Sequence, residues 1–347
     1  MLHLTETDLN KMVMHRVGNK LREEEVRFSK APVNFDYSVK DLLLRYFLSP
    51  FKSTEYYNLF HESDIQLNAV FNHVSQIFDN PEDLYSQSVR LAQHLYDQST
   101  HPRIKDGEFY VVYFTNCVID GEVTDAVGIF KSETKETFLK VYPTEDNFSI
   151  EYEDGININR LDKGCLIVNS ERERGYLVSI VDNLSRITEA QYWRDLFLQV
   201  RQRTDNFYQT ENVMRLCKQF VSEKLPEEFE MTRADQADFL LKSTQFLKEN
   251  EDFAMNDFSE EVFRQPEIKS TFDQFRTRYE EEMDLEISDN FKISEEAVKK
   301  QARYFKSVIK LDKNFHIYVH GKRDRIVRGY DEERGLNFYQ LFFDHES

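Results

Sequence analysis

The stretch EFYVVYFTNCVI, residues 108–119, is apolar at most positions and rich in β-branched and aromatic residues. Such a run, followed by the turn DGEVT and a second run, DAVGIFKS, is typical of a β-hairpin. Further short runs continue to about residue 182, joined by the links SETKE and SERERG, which have hairpin length and turn chemistry. They read TFLKVYP, FSIEYED, GCLIVNS and GYLVSIVD. We predict an antiparallel sheet of five or six strands over residues 108–182.

The residues before this sheet change from strand to helix patterning. KMVMHRV, residues 11–17, alternates and predicts a strand. Residues 36–48, 64–78 and 83–99 carry apolar side chains at spacings of three and four. Each of the three segments begins at an aspartate, a favoured N-cap residue. We predict one strand followed by three helices.

Helical spacing resumes after the sheet. It covers residues 188–200, where Thr188 can cap, and a largely helical region continues to about residue 287. A last helix is predicted over residues 293–309, where Ser294 can cap, and the strands FHIYVH, RIVRGY and NFYQLFF follow. The fold class is therefore predicted to be α+β. We place an N-terminal α+β domain at residues 1–200. The C-terminal domain, residues 201–347, would hold helices to residue 289 and then a helix and strands.

Charge is distributed unevenly along a chain whose formal net charge is -18. Residues 221–289 hold 20 Asp plus Glu against 8 Lys plus Arg, whereas residues 299–328 hold ten basic residues against two acidic ones. An acidic chain repels nucleic acid at long range, so a DNA contact would have to come from a local patch. The acidic helices suggest either a solvated surface or a site for a basic protein partner.

The basic segment, residues 299–328, is the strongest functional signal in the sequence. Lys299, Arg303 and Lys306 recur on one helix face, and a single surface could grip several phosphates. The other proposed DNA-binding residues lie in or after the next turn: Lys322, Arg323, Arg325 and Arg328. The alternative is self-neutralisation, in which this segment docks on the acidic helices of its own chain or of a dimer partner.

The strand that precedes this turn has two predicted faces. Phe315, Ile317 and Val319 are predicted to be buried, and His316 and His320 to flank Tyr318 on the polar face. The two histidines would lie about 13 Å apart on a strand, too far to share one metal.

Two parts of the chain share a short sequence similarity, Leu-Asp-Lys followed by Gly or Asn. They are NRLDKGCLIV at residues 159–168 and IKLDKNFHIY at residues 309–318. We predict two similar turns, each opened by its aspartate, with Gly164 or Asn314 supplying the residue of positive φ.

Catalytic and cofactor signatures are weak. The common nucleotide, zinc-protease and hydrolase motifs are absent from the sequence, and Cys117, Cys165 and Cys217 form neither a zinc pattern nor a disulfide framework. Asp125, Glu133 and Lys135 imitate the layout of metal-dependent nucleases. SETKE, however, is predicted to be the polar tip of a hairpin. We therefore expect a non-catalytic protein without a cofactor. No 18-residue apolar run occurs, and we expect no membrane association and a reducing cytosol.

Several strings resemble the bacterial nucleoid-associated protein family, also called the NdpA family, over nearly the whole chain. They are HRVGNK (15–20), LAQHLYDQSTHPRIKDGEFYVVYF (91–114), DAVGIFKSE (125–133), GININRLDKGCLIVN (155–169), EAQYWRDLFL (189–198) and FKSVIKLDKNFHIYVHG (305–321). The resemblance implies a cytoplasmic protein at the nucleoid, bound to DNA directly or through chromosome-processing enzymes, and no reaction.

Three functional hypotheses follow from the charge pattern and the resemblance. The first is a DNA-binding protein that uses phosphate contacts from the basic segment. The second is an acidic interaction protein recruited to the nucleoid by a chromosome-maintenance partner, and the third is a metal-dependent nuclease. A homodimer is the default expectation for an oligomer.

Overall fold

The computed structural model describes residues 2–183, 192–302, 305, 308–312, 314–318 and 325–345. The chain divides into two compact units, Met1–Arg203 and Thr204–Ser347. Each unit contains helices and strands, which confirms the predicted α+β class.

The first unit is built on one large antiparallel sheet. Among the described residues nine strands join it, in the order β11-β4-β10-β9-β6-β5-β2-β3, and β1 pairs with β5. Two further strands, β7 and β8, pair with each other and with no other strand of the described residues. The strands of this unit are β1 Leu2–His3, β2 Asp8–Val17, β3 Val26–Arg27, β4 Tyr57–Leu59, β5 Gly107–Ile119, β6 Glu122–Ser132, β7 Glu136–Pro143, β8 Phe148–Gly155, β9 Lys163–Val168, β10 Leu177–Asp182 and β11 Val200–Gln202.

The two faces of this sheet are covered by different helices. The helices are α1 Tyr37–Leu48, α2 Ala69–Asp79 and α3 Leu84–Gln98. Side chains of α2 and α3 share a core with Val111 and Ile129, and those of α1 share another with Val112 and Phe130. Because successive strand residues point to opposite faces, a strand covered on both sides must be apolar at almost every position. This is why residues 108–119 lack a polar alternation.

Of the three predicted aspartate caps, Asp36 is confirmed, Asp64 caps a different turn, and Asp83 precedes α3 but makes no side-chain capping hydrogen bond. Asp36 accepts a hydrogen bond from the Val39 N–H and begins α1. Asp64 caps a short 3₁₀ turn, Ile65–Leu67, and Asn68 then caps α2. The Asn68 amide also donates to the carbonyls of Phe60 and Leu198. A single buried amide therefore ties the start of α2 to two distant segments.

Two sheet predictions were wrong. Residues 132–136 are not a hairpin tip, because β6 pairs with β5 and β9, whereas β7 pairs with β8. The helix predicted to reach residue 200 ends earlier: Tyr192–Leu198 is π-helical and Val200 already pairs in β11. The sheet takes its other strands from β1, β2, β3, β4 and β11.

The second unit has a core dominated by phenylalanine. Phe220, Phe258, Phe263 and Phe272 are almost fully buried and contact one another. The helices of this unit are α4 Asn206–Gln219, α5 Leu225–Glu228, α6 Arg233–Glu249, α7 Met255–Phe263, α8 Pro266–Met283 and α9 Glu295–Ala302, with a π-helical segment at Phe220–Lys224. The strands are β12 Asp252–Ala254, β13 Asn290–Lys292, β14 Val308–Leu311, β15 Phe315–Tyr318, β16 Ile326–Asp331 and β17 Leu336–Leu341. They pair as three antiparallel hairpins or ribbons, β12 with β13, β14 with β15 and β16 with β17.

Three predictions for this unit were wrong. The helix expected to reach residue 309 does not, since α9 ends at Ala302 and Ile309 lies in β14. Phe315 is not buried but 65% exposed, because β15 belongs to a two-stranded ribbon instead of a covered sheet. The residue of positive φ is Asp312, not Asn314, and Gly164 is an ordinary strand residue of β9. Val319 and His320 lie outside the described residues.

Candidate functional site

The predicted DNA-binding residues that the structure describes lie on α9 and on β16 or next to it. Lys299 projects from α9 and pairs with Glu295 at 3.1 Å, and both side chains are more than three-quarters exposed. Exposed ion pairs contribute little free energy, so a phosphate can displace this carboxylate at low cost. The neighbouring Lys300 instead reaches the buried Glu211 at 3.4 Å and lies over the Phe207 ring. Lys299 is thus better placed than Lys300 for a ligand.

The two described arginines of the segment lie at one end of the β16–β17 hairpin and along it. Arg325 donates to Asp344 at 2.6 Å, a partly exposed contact. Arg328 lies in β16, and Tyr330, 60% exposed, is two residues further on the same face. This face offers nucleic acid a cation and an aromatic ring. Arg303, Lys306, Lys322 and Arg323 lie outside the described residues.

The three nuclease candidates do not come together. Asp125 accepts a hydrogen bond from the Tyr113 hydroxyl, and burial, assisted by this carboxylate, raises the pKa of Tyr113. Glu133 lies eight residues further along the chain, about 26 Å away on an extended strand. Lys135 pairs with Glu108 at 2.6 Å. One magnesium ion cannot contact carboxylates so far apart.

A cluster of buried charges, which sequence reasoning missed, lies at one end of the large sheet. We call it the charged cluster: Lys131, Glu133, Asp162, Lys163, Asp182 and Tyr192. Lys131, Lys163 and Asp182 are direct cross-strand neighbours on β6, β9 and β10, so their side chains share the face covered by α2 and α3. The side chains of both lysines are at most 1% exposed.

Each buried lysine has a carboxylate partner. Lys131 contacts Glu133 at 3.0 Å and donates to the Lys105 carbonyl at 2.7 Å. Lys163 contacts Asp182 at 3.0 Å. The Tyr192 hydroxyl donates to Glu133 at 2.8 Å, and its ring lies within 6 Å of both ammonium groups. Burial lowers the pKa of Lys131, and the nearby Glu133 opposes that shift.

The Asp162 side chain hydrogen-bonds to the backbone of the segment that follows β6. Its carboxylate, 2% exposed, accepts the backbone N–H groups of Glu133 and Thr134, both at 2.7 Å. These bonds fix the segment that leaves the sheet after β6. Three of the strings that carry the family resemblance therefore meet in the charged cluster, at residues 131–133, 162–163 and 192.

The charged cluster consists of buried ion pairs and hydrogen bonds. Its acids and bases are paired and closed to solvent, so a substrate would have to displace buried ion pairs to reach them. Within the described residues no group of three His, Cys, Asp or Glu side chains could hold a metal ion. Alternate residues of a strand share one face, and Lys131 follows Val127 and Ile129 in this alternation along β6. Because those two residues are buried, the alternation could have predicted from the sequence that Lys131 is buried too.

No described helix has both the length and the apolar character that crossing a membrane requires.

A protein-family comparison gives a match over nearly the whole chain. The model described as nucleoid-associated protein YejK matches residues 13–335, which confirms the resemblance drawn from the sequence strings. No curated protein sequence matches the chain. The chain belongs to the nucleoid-associated protein family described by that model.

Proposed function

We propose that this protein acts at the nucleoid in the cytoplasm, without catalysis, by binding DNA through phosphate contacts from its basic segment, residues 299–328. The observation that carries the proposal is charge: ten basic against two acidic residues within a chain of net charge -18. Family membership supports the nucleoid role. The distance between Asp125 and Glu133 argues against a nuclease centre at those residues.

The described cations fit this role. Lys299 pairs with the exposed Glu295 and Arg325 pairs with the exposed Asp344, and DNA phosphates can replace these carboxylates. Lysine and arginine without a recognition helix give position on the duplex but little reading of sequence. The proposed binding is therefore largely independent of DNA sequence.

The test is fluorescence anisotropy of a labelled duplex over a salt series. Lys322→Ala/Arg323→Ala/Arg325→Ala should weaken binding, and the slope of log K against log salt should become shallower by about 0.9 for each phosphate that the variant no longer neutralises. The control has the same charge change at lysines outside the segment, in Lys30→Ala/Lys52→Ala/Lys248→Ala. Equal effects of the two variants, or binding that ignores salt, would contradict the proposal.

A second candidate function rests on the end of α8. Glu281, Glu282 and Asp284 are exposed at its C-terminus, where the helix dipole favours cations, and no basic residue lies in the last turn. Acidic residues in an unfavourable place are consistent with a binding site for a basic protein. In this alternative a chromosome-maintenance partner recruits the chain to the nucleoid.

Charge reversal separates stability from binding at this site. Glu281→Lys/Glu282→Lys should stabilise the chain by about 0.5–1 kcal/mol, because it removes the conflict with the helix dipole. It should also abolish partner capture from a nuclease-treated lysate. If the unmutated protein already captures no partner after nuclease treatment, the protein-bridged function is wrong.

A further inference from the structure

The β7–β8 hairpin, residues 136–155, forms an arm in which, within the part of the chain that the structure describes, each strand pairs only with the other. We call it the arm. Directly opposed residues of an antiparallel pair point to the same face, so the register from Glu136↔Gly155 to Pro143↔Phe148 assigns every side chain to one of two faces. The arm therefore has two faces of different chemistry.

One face of the arm is apolar and uncovered. It carries the pairs Leu139↔Tyr152 and Val141↔Ile150, and then Phe148. These five side chains are 59–74% exposed. On the other face Lys140 pairs with Glu153. The arm thus separates a face with five exposed apolar side chains from one on which Phe138 and Tyr142 lie among charged residues.

An arm of this kind is not expected to remain fully exposed to solvent in the working protein. A lone two-stranded hairpin is only marginally stable in water and needs a packed face for stability. Contiguous exposed apolar surface of this kind marks an interaction site. The pattern is also regular: apolar residues occupy one face at three successive cross-strand positions, which an irregular loop would not produce.

We propose that the apolar face of the arm packs against the same face of a second copy of this chain, in a twofold-symmetric interface. The arm holds six acidic residues and one lysine, so DNA and anionic lipid are repelled. A second copy supplies a matching apolar face. Of the charged strand residues only Asp154, which is opposite Thr137 and accepts its hydroxyl hydrogen bond, lies on that face, at the end next to Tyr152. A contact made by the five apolar side chains keeps Asp154 at its edge, so the interface avoids the desolvation cost of a buried ion.

The size of the face fits a dimer contact. Phe148 and Tyr152 can each bury about 150–250 Å². Together with three aliphatic side chains they approach the ~800 Å² per partner of a standard protein interface. Self-complementary contact of one patch with its copy is the usual geometry of a twofold dimer.

The test measures the association of the full chain by sedimentation equilibrium without DNA. Val141→Glu/Ile150→Glu places two carboxylates on the apolar face, and should weaken the dimer at least tenfold. The matched control, Tyr142→Glu/Ser149→Glu, places two carboxylates one position along each strand, on the charged face. It disturbs the hairpin to a similar degree and should leave the dimer constant within about twofold.

Crosslinking gives a second readout that does not need the dimer to be disrupted. The native cysteines are all buried, so Val141→Cys adds the one accessible thiol near the proposed twofold axis. Oxidation should give covalent dimers from Val141→Cys and few from Tyr142→Cys. A chain that is monomeric across the concentration range, or two double variants with equal effects, overturns the proposal. Neither outcome bears on DNA binding, which is measured separately.

Discussion

At the scale of single residues, the charged cluster decides how the sheet end is held. Lys131 and Glu133 lie two residues apart at the end of β6 and are paired inside the protein. A buried ion pair adds little net stability over apolar groups, but loss of one partner leaves an uncompensated buried charge. The pair should therefore tolerate joint replacement better than single replacement.

This asymmetry is testable by urea unfolding. Lys131→Met should lower the free energy of unfolding by about 3–5 kcal/mol, because Glu133 remains buried without its cation. Lys131→Met/Glu133→Gln should recover most of that stability, since a glutamine oxygen can still accept the Tyr192 hydroxyl hydrogen bond. If the double variant is as unstable as the single one, the charge imbalance is not the cause.

His15 is a second residue whose protonation is set by its surroundings. Its Nδ1 accepts the Ser29 N–H at 3.1 Å, so in the neutral ring Nε2 carries the proton and donates to Ser88 Oγ at 2.9 Å. Burial lowers the pKa of His15 to about 4 from its ordinary 6.5. Protonation would remove the acceptor at Nδ1 and bury a charge.

The lowered pKa predicts acid sensitivity. Between pH 6.5 and 4 the unfolded chain binds a proton at His15 that the folded chain does not, so stability falls as pH falls. The decrease from this residue is on the order of 3 kcal/mol by pH 4. His15→Gln should keep both hydrogen bonds and flatten the pH dependence of unfolding by that amount. An unchanged pH profile would show that His15 does not titrate in this range.

At the scale of elements, one glycine fixes the approach of β4 to the β9–β10 turn. Gly175 has φ +93°, and its carbonyl accepts the Leu59 N–H at 2.8 Å. A Cβ at Gly175 would lie 2.0 Å from the Leu59 carbonyl oxygen. Gly121, in the β5–β6 turn, has a similar φ of +89° and no atom within 4 Å of its Cβ position.

Alanine substitutions at these two glycines distinguish the cost of a strained backbone from the cost of a steric clash. Gly121→Ala should cost about 1–2 kcal/mol, the penalty for a left-handed alanine. Gly175→Ala should cost at least about 3 kcal/mol, because β4 must also move away. Thermal and urea unfolding of both variants measure the difference. Equal costs would mean that β4 yields easily.

At the scale of the whole molecule, the two units carry the same net charge but distribute it differently along the chain. Residues 1–203 hold 23 basic and 32 acidic residues, and residues 204–347 hold 22 and 31, so each carries -9. Only the second contains the basic segment. A DNA contact thus depends on local clustering instead of on the net charge of either unit.

Fragments test both the division and the location of DNA binding. Each unit has its own hydrophobic core, so residues 1–203 and 204–347 should fold separately. Salt-dependent duplex binding should remain with residues 204–347 and be absent from residues 1–203. Cooperative unfolding of each fragment is the control. Binding by residues 1–203 alone would move the site away from the basic segment.

The sequence by itself determined the α+β class, most helices and strands, and the basic and acidic segments, because these depend on local periodicity and on composition. Residues 108–119 predicted a strand correctly, since both covered faces demand apolar side chains. Local pattern does not encode which strand pairs with which. The strands β7 and β8 therefore read as sheet members, although they form an arm. Lys131 and Glu133 likewise read as solvated polar residues, although the fold buries them. Tertiary structure alone decided pairing and burial, because both depend on contacts between residues far apart in the chain.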